Sequence, residues 1–144
     1  MIFIPRDEEH RVMEETERVP LGLPTSGDVR VKINLRLQEF RGSYPNVWLS
    51  KPELERFVGQ LKLLVETRKA SAKIDAMSPG EFSFELRPYD SLGHFEASVQ
   101  LGRRQFSGPT YWPTIISSGF ESAPSELVSI LAGFQALLEP KETS

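Results

Sequence analysis

The stretch L-E-R-F-V-G-Q-L-K-L-L-V, Leu54 to Val65, and its later counterpart L-V-S-I-L-A-G-F-Q-A-L-L, Leu127 to Leu138, decide the fold class. In the first, Leu54, Phe57, Val58, Leu61, Leu64 and Val65 share one helical face. In the second, Leu127, Ile130, Leu131, Phe134, Leu137 and Leu138 repeat the spacing, so each stretch predicts an amphipathic helix. Ser50 and Glu53 have capping-box spacing, and Pro52 suits a first helical turn. Ser122 to Glu126, with Pro124 among them, opens the second helix, which stops before Pro140. Burying six apolar side chains does not offset the backbone entropy of ordering about fifteen residues. Each helix therefore needs a sheet to cover.

That sheet is legible around the helices. Val29, Val31, Ile33, Leu35 and Leu37 alternate with Arg30, Lys32, Asn34, Arg36 and Gln38, the pattern of a half-buried strand. A shorter strand is expected at Val47 to Leu49. Phe82, Phe84 and Leu86, then Phe95, Ala97, Val99 and Leu101, alternate with polar residues on either side of Pro88 to His94, which predicts an antiparallel hairpin. A poorly patterned strand follows from about Thr114 to Phe120, where Pro113 suggests an edge or a bulge. There are too few crossovers for a doubly wound parallel sheet. The expectation is an α+β fold: a mainly antiparallel sheet with two amphipathic helices packed on it, one domain over residues 28–140.

Residues 1–27 differ from the rest. Asp7, Glu8, Glu9, Glu14, Glu15 and Glu17 are interrupted by Arg6, Arg11 and Arg18 and followed by Pro20 and Pro24. This reads as an acidic, solvated N-terminal arm, although Ile2, Phe3 and Ile4 suit pairing onto a sheet edge.

Composition limits the functional classes. The 144 residues include no cysteine, which removes disulfides, thiolate catalysis and cysteine-based zinc sites and suits a cytoplasmic location. No signal-peptide core or membrane-length apolar run is present, so a soluble, unprocessed protein with no membrane partner is expected. A net charge of −3 opposes sequence-independent nucleic-acid binding.

Candidate chemistry is sparse. His10 and His94 are the only two histidines, so no metal site and no cofactor are expected. Asp90, Ser91 and His94 have the residue types of a nucleophile, base and orienter, but they also serve as ordinary turn formers. Glu81, Glu85 and Glu96 read either as an acid/base pair or as the polar face of a sheet. No nucleotide-binding or hydrolase motif occurs, and no catalytic residue is assigned.

The most unusual local composition is Arg103, Arg104, Phe106, Tyr111 and Trp112. Arginine, tyrosine and tryptophan dominate protein-binding hot spots, which makes these five the candidate partner-binding residues. Two other readings remain: aromatics closing the end of the core, or stacking on single-stranded nucleic acid. Tyr44 and Trp48 read as core or rim. The polar sheet face around Arg30, Lys32 and Arg36 is a second candidate surface.

Three segments also carry a resemblance. F-S-F-E-L-R-P-Y-D-S-L-G-H-F-E-A-S-V-Q-L (Phe82 to Leu101), V-W-L-S-K-P-E-L-E-R-F-V-G-Q-L (Val47 to Leu61) and the terminal helix from Ser125 to Leu138 together resemble the WapI-type immunity proteins, small bacterial proteins that neutralise a cognate polymorphic toxin. The resemblance implies stoichiometric binding to a toxin domain, not turnover. It supplies no catalytic motif, and the acidic lead-in departs from the family's usual start. A generic interaction module is the alternative, followed by a small hydrolase or a nucleic-acid binder. Homodimerisation through an uncovered edge strand is a further possibility.

Overall fold

Strict alternation from Val29 to Leu37 does produce a strand with every second residue buried, and a computed structural model shows what it packs against. The structure describes residues 1–6, 9–20, 23–37, 39–90, 94–103 and 106–139, with backbone alone at 3, 5, 6, 9, 106 and 107. In chain order the elements are β1 (Ile2–Arg6), β2 (Glu9–Arg18), β3 (Val29–Leu37), β4 (Phe40–Leu49), α1 (Lys51–Thr67), β5 (Ala72–Asp75), β6 (Phe82–Pro88), β7 (Phe95–Arg103), β8 (Phe106–Ser107), β9 (Thr110–Tyr111), β10 (Thr114–Ser122) and α2 (Pro124–Leu138).

The α+β class, the antiparallel pairing and both helices are as expected. The strands, however, divide between two four-stranded sheets, β1-β2-β3-β4 and β10-β7-β6-β5, with a two-stranded ribbon β8-β9. Every pairing is antiparallel. Helix α1 carries the chain from the first sheet to the second.

The N-terminal segment corrects the expectation of a solvated arm. Residues 2–6 and 9–18 are strands, with Ile2, Ile4 and Met13 buried in the core. The edge pairing suggested for Ile2 to Ile4 occurs, with β2 as the partner. Strand β2 escapes a periodicity reading because its buried face carries Arg11, Met13 and then the half-buried Glu15. One apolar residue in three positions is no alternation.

Strand β4 is longer than Val47 to Leu49 for a related reason. Its pairing with β3 steps from Val31↔Val47 to Ile33↔Tyr44, a bulge that takes in Pro45 and Asn46. A bulge is where a proline without an N–H is tolerated in a paired strand, and it shifts the side-chain parity that alternation relies on. Strand β5 is four residues long and pairs on β6 at the sheet edge. Strand β10 is the opposite edge, consistent with Pro113 just before it.

The core lies where the two sheets and two helices meet. Leu54, Phe57, Val58, Leu61 and Leu64 of α1 and Leu127, Ile130, Phe134 and Leu137 of α2 are buried. Phe57 meets Phe134 edge-on with ring centroids 4.7 Å apart, and Phe84 of β6 stacks on Phe134 at 6.1 Å. Such offset and edge-on contacts add to the area they bury. The start of α1 is tied down twice: Ser50 Oγ accepts from the Glu53 N–H at 3.3 Å, and the buried Asp28 accepts from the Lys51 N–H at 2.8 Å. Two of the helix's orphan donors are thereby satisfied.

Candidate functional site

The candidate residues lie on an extension of the β7–β10 hairpin. Thr114 pairs with Arg103, and beyond that pair the chain continues through β8 and β9, where Phe106 pairs with Tyr111 and Ser107 with Thr110. A hairpin so extended has few core residues to cover its side chains. Tyr111 is 46% exposed and Trp112 60%, and Arg103 is exposed too. The structural reading, aromatics closing the end of the core, therefore does not apply to Tyr111 and Trp112. Arg104 lies outside the described residues, and Phe106 is placed by its backbone alone.

A second hairpin tip reaches the same end. Gly42 of β4 lies so close to the second sheet that a Cβ there would collide with Ile116 Cδ1 of β10. A side chain at position 42 would require Ile116 to move. Just beyond the contact, Arg41, Tyr44, Leu101, Arg103, Thr114 and Ile116 line a groove of about 350 Å³. Phe40, next to Arg41, is 69% exposed, and Ile115, next to Thr114, is 53% exposed. The β3–β4 tip and the β7–β10 extension thus form one basic and aromatic end.

Tyr44 forms a wall of this groove. Its hydroxyl donates to Glu81 Oε1 at 3.2 Å. Burial, reinforced by that carboxylate, holds the phenol above its ordinary value of 10.0, against the opposing influence of Arg103. Glu81 is thereby a structural partner of Tyr44. Tyr44 and Trp48 are both half-buried, between the core and rim readings.

The other candidates are placed apart. Glu85 stands opposite Ser98 and not Glu96; Arg87 is the residue opposite Glu96. The Arg87 guanidinium bridges both carboxylates, at 3.2 Å to Glu85 and 3.0 Å to Glu96. One arginine shared between two carboxylates is an ion-pair network of the sheet's polar face, in keeping with the polar-face reading of these residues. Arg30 on the polar face of the first sheet pairs with Glu17 at 3.1 Å, and Lys32 stands opposite Glu14. Acidic residues of β2 therefore counter Arg30 and Lys32 on that face, whereas Arg36 stands opposite His10.

In the turn before β7, Asp90 accepts from the His94 backbone N–H at 3.1 Å, and its other oxygen lies 2.6 Å from His94 Nδ1. The hydrogen bond to Asp90 and its charge hold the imidazole above its ordinary 6.5. Both contacts close the turn, in keeping with the turn-former reading. Ser91 lies outside the described residues. Among the described residues, no group of three His, Asp or Glu side chains has a metal-binding arrangement.

Residue-level reading missed Phe40, Arg41 and Ile115. The available signal was the run Phe40-Arg41-Gly42 immediately after an alternating strand, which by itself reads as a hairpin turn.

Fold and surface together define a small two-sheet α+β domain that presents Phe40, Arg41, Arg103, Tyr111 and Trp112 exposed at one end. The model of the Immunity protein WapI-like family matches residues 17–141, and the chain belongs to that family. Membership indicates a toxin-neutralising immunity role, and immunity proteins are generally non-catalytic. No curated protein and no solved structure matches the chain. Among the described residues, no helix is long and apolar enough to cross a membrane.

Proposed function

We propose that this protein neutralises a cognate bacterial toxin domain by stoichiometric binding, in the cytoplasm of the cell that makes the toxin. The observation that carries this reading is the match to an immunity family over most of the chain, on a surface with exposed hot-spot residues at one end. The binding residues are Arg103, Arg104, Phe106, Tyr111 and Trp112. Large aromatics supply contact area at low entropic cost, and arginine supplies directional charge-assisted hydrogen bonds. Neutralisation follows from covering the toxin's active site, and no turnover, cofactor or nucleic acid is required.

The test is direct binding between this protein and a catalytically inactivated toxin domain encoded immediately upstream, together with protection of cells expressing the active domain. A one-to-one complex and protection are expected. The combined change of Arg103, Arg104 and Trp112 to alanine should weaken the complex by at least about a hundredfold, the scale of a lost hot-spot cluster. Unchanged affinity would move the interface elsewhere on the molecule. Neither complex nor protection would overturn the immunity reading.

A further inference from the structure

Two arginines stand directly opposite each other where sheet energetics disfavour them. Arg36 of β3 pairs with Arg41 of β4, one position from the hairpin tip, and both are exposed. Like charges directly opposite on adjacent strands repel, and such pairs are destabilising. Among the described residues, neither guanidinium forms an ion pair. A third arginine, Arg103, lines the same groove as Arg41. The chain as a whole is acidic, at −3, so this concentration of positive charge runs against its overall balance. Among the described residues, the acidic residues at this end include Glu81, which accepts from Tyr44, the exposed Glu39 at the tip, and Glu9, next to the His10 that pairs with Arg36.

Resting on the immunity reading, the geometry points to an acidic segment of the toxin domain as the occupant of this groove, its carboxylates seated between Arg41 and Arg103 with Arg36 at the rim. The exposed Phe40, Trp112 and Ile115 flank the charged centre and supply apolar contact on either side. Charged groups arranged this way set partner choice and speed encounter, while the flanking aromatics hold the complex once formed. A protein carboxylate suits the site better than a nucleic-acid backbone. A phosphate chain needs an extended basic track, whereas three arginines beside exposed apolar side chains match the mixed character of a protein interface. The groove thus extends the interface from the β7–β10 extension onto the β3–β4 tip.

The experiment compares wild type with Arg36→Glu, Arg41→Glu and Arg103→Glu for binding to the inactivated toxin domain across a range of salt concentrations. Arg36→Glu replaces a repulsive cross-strand pair with an attractive one, so its melting temperature should equal or exceed that of wild type. Loss of binding by that variant is therefore not loss of fold. Each reversal should weaken binding by about tenfold or more, slow association and flatten the salt dependence. Lys62→Glu, on the exposed side of α1, should leave affinity within about twofold, as for charges outside an interface. An acid-to-lysine change in the toxin segment should restore binding to Arg103→Glu. Wild-type affinity in all three reversals, with the complex intact, would overturn the groove assignment and leave the immunity reading standing. Absence of any complex with wild type would overturn both. Binding of a labelled single-stranded oligonucleotide at physiological salt, lost in the same variants, would assign the groove to nucleic acid. Concentration-dependent dimerisation lost in those variants would assign it to a second copy of the chain.

Discussion

Ile2 lies directly over Gly133: a Cβ on Gly133 would fall 2.5 Å from Ile2 Cγ1. The first strand of the chain is thereby seated on the last helix, and the glycine is what lets it lie there. Gly133→Leu should force the two apart and cost about 1–3 kcal/mol, the usual range for overpacking. Hydrogen exchange would show the loss confined first to β1, with α2 amides still protected. Equal loss of protection in both elements would contradict this seating.

Arg11 is 5% exposed, donates to Ser118 Oγ at 2.9 Å and lies 4.3 Å from the centroid of the Phe120 ring. It ties β2 in the first sheet to β10 in the second. Arg11→Ala removes the ring contact and the bond and opens space between sheets, at a cost of about 2–4 kcal/mol. Arg11→Met keeps most of the volume without a buried charge and should fall within about 1 kcal/mol of wild type or above it. Chemical denaturation of the three proteins separates these outcomes.

Helix α1 ends on Arg68 in the left-handed region at φ 56°, its N–H bonded to the Leu64 carbonyl at 2.8 Å. A residue with a Cβ is strained there, and glycine is not. Arg68→Gly should raise stability by about 0.5–1 kcal/mol, whereas the same change in mid-helix would lower it by a similar amount. A thermal melt suffices.

The Asp90–His94 contact predicts a pH dependence of defined sign. Because the imidazole is held above its ordinary 6.5, the contact contributes fully below that value and is lost as pH rises through the raised folded value. Stability differences between wild type and Asp90→Asn should therefore be largest in mildly acidic solution and shrink toward alkaline pH. A difference that grows with pH would contradict the assigned cause.

Trp112 is 60% exposed, so Trp112→Ala should change folding stability by no more than about 0.5 kcal/mol. Its effect on toxin binding should be far larger, about 2 kcal/mol or more, as for a hot-spot tryptophan. Calorimetry of the free protein and of the complex measures both. A destabilised free protein with an unaffected complex would return Trp112 to a structural role.

The sequence by itself determined the two helices, the Ser50 cap, strand β3 and the β6–β7 hairpin. Each of these is specified by neighbours within a few residues, through periodicity and capping chemistry that need no distant partner. It also carried a recognisable family pattern from about Asp28 to Leu138. Tertiary structure alone decided the rest. Arg11 occupies an inward position that makes sense only beside Ser118, 107 positions away, so β2 was not legible as a strand. The bulge around Pro45 hid half of β4, because a single extra residue reverses the side-chain parity of everything before it. The candidate site divides the same way. Arg103, Tyr111 and Trp112 stand out by composition, but only the close approach of Gly42 to Ile116 brings Phe40 and Arg41 beside them. Which hairpin tips share an end depends on how two sheets pack, and packing is settled by contacts between residues that are remote in the chain.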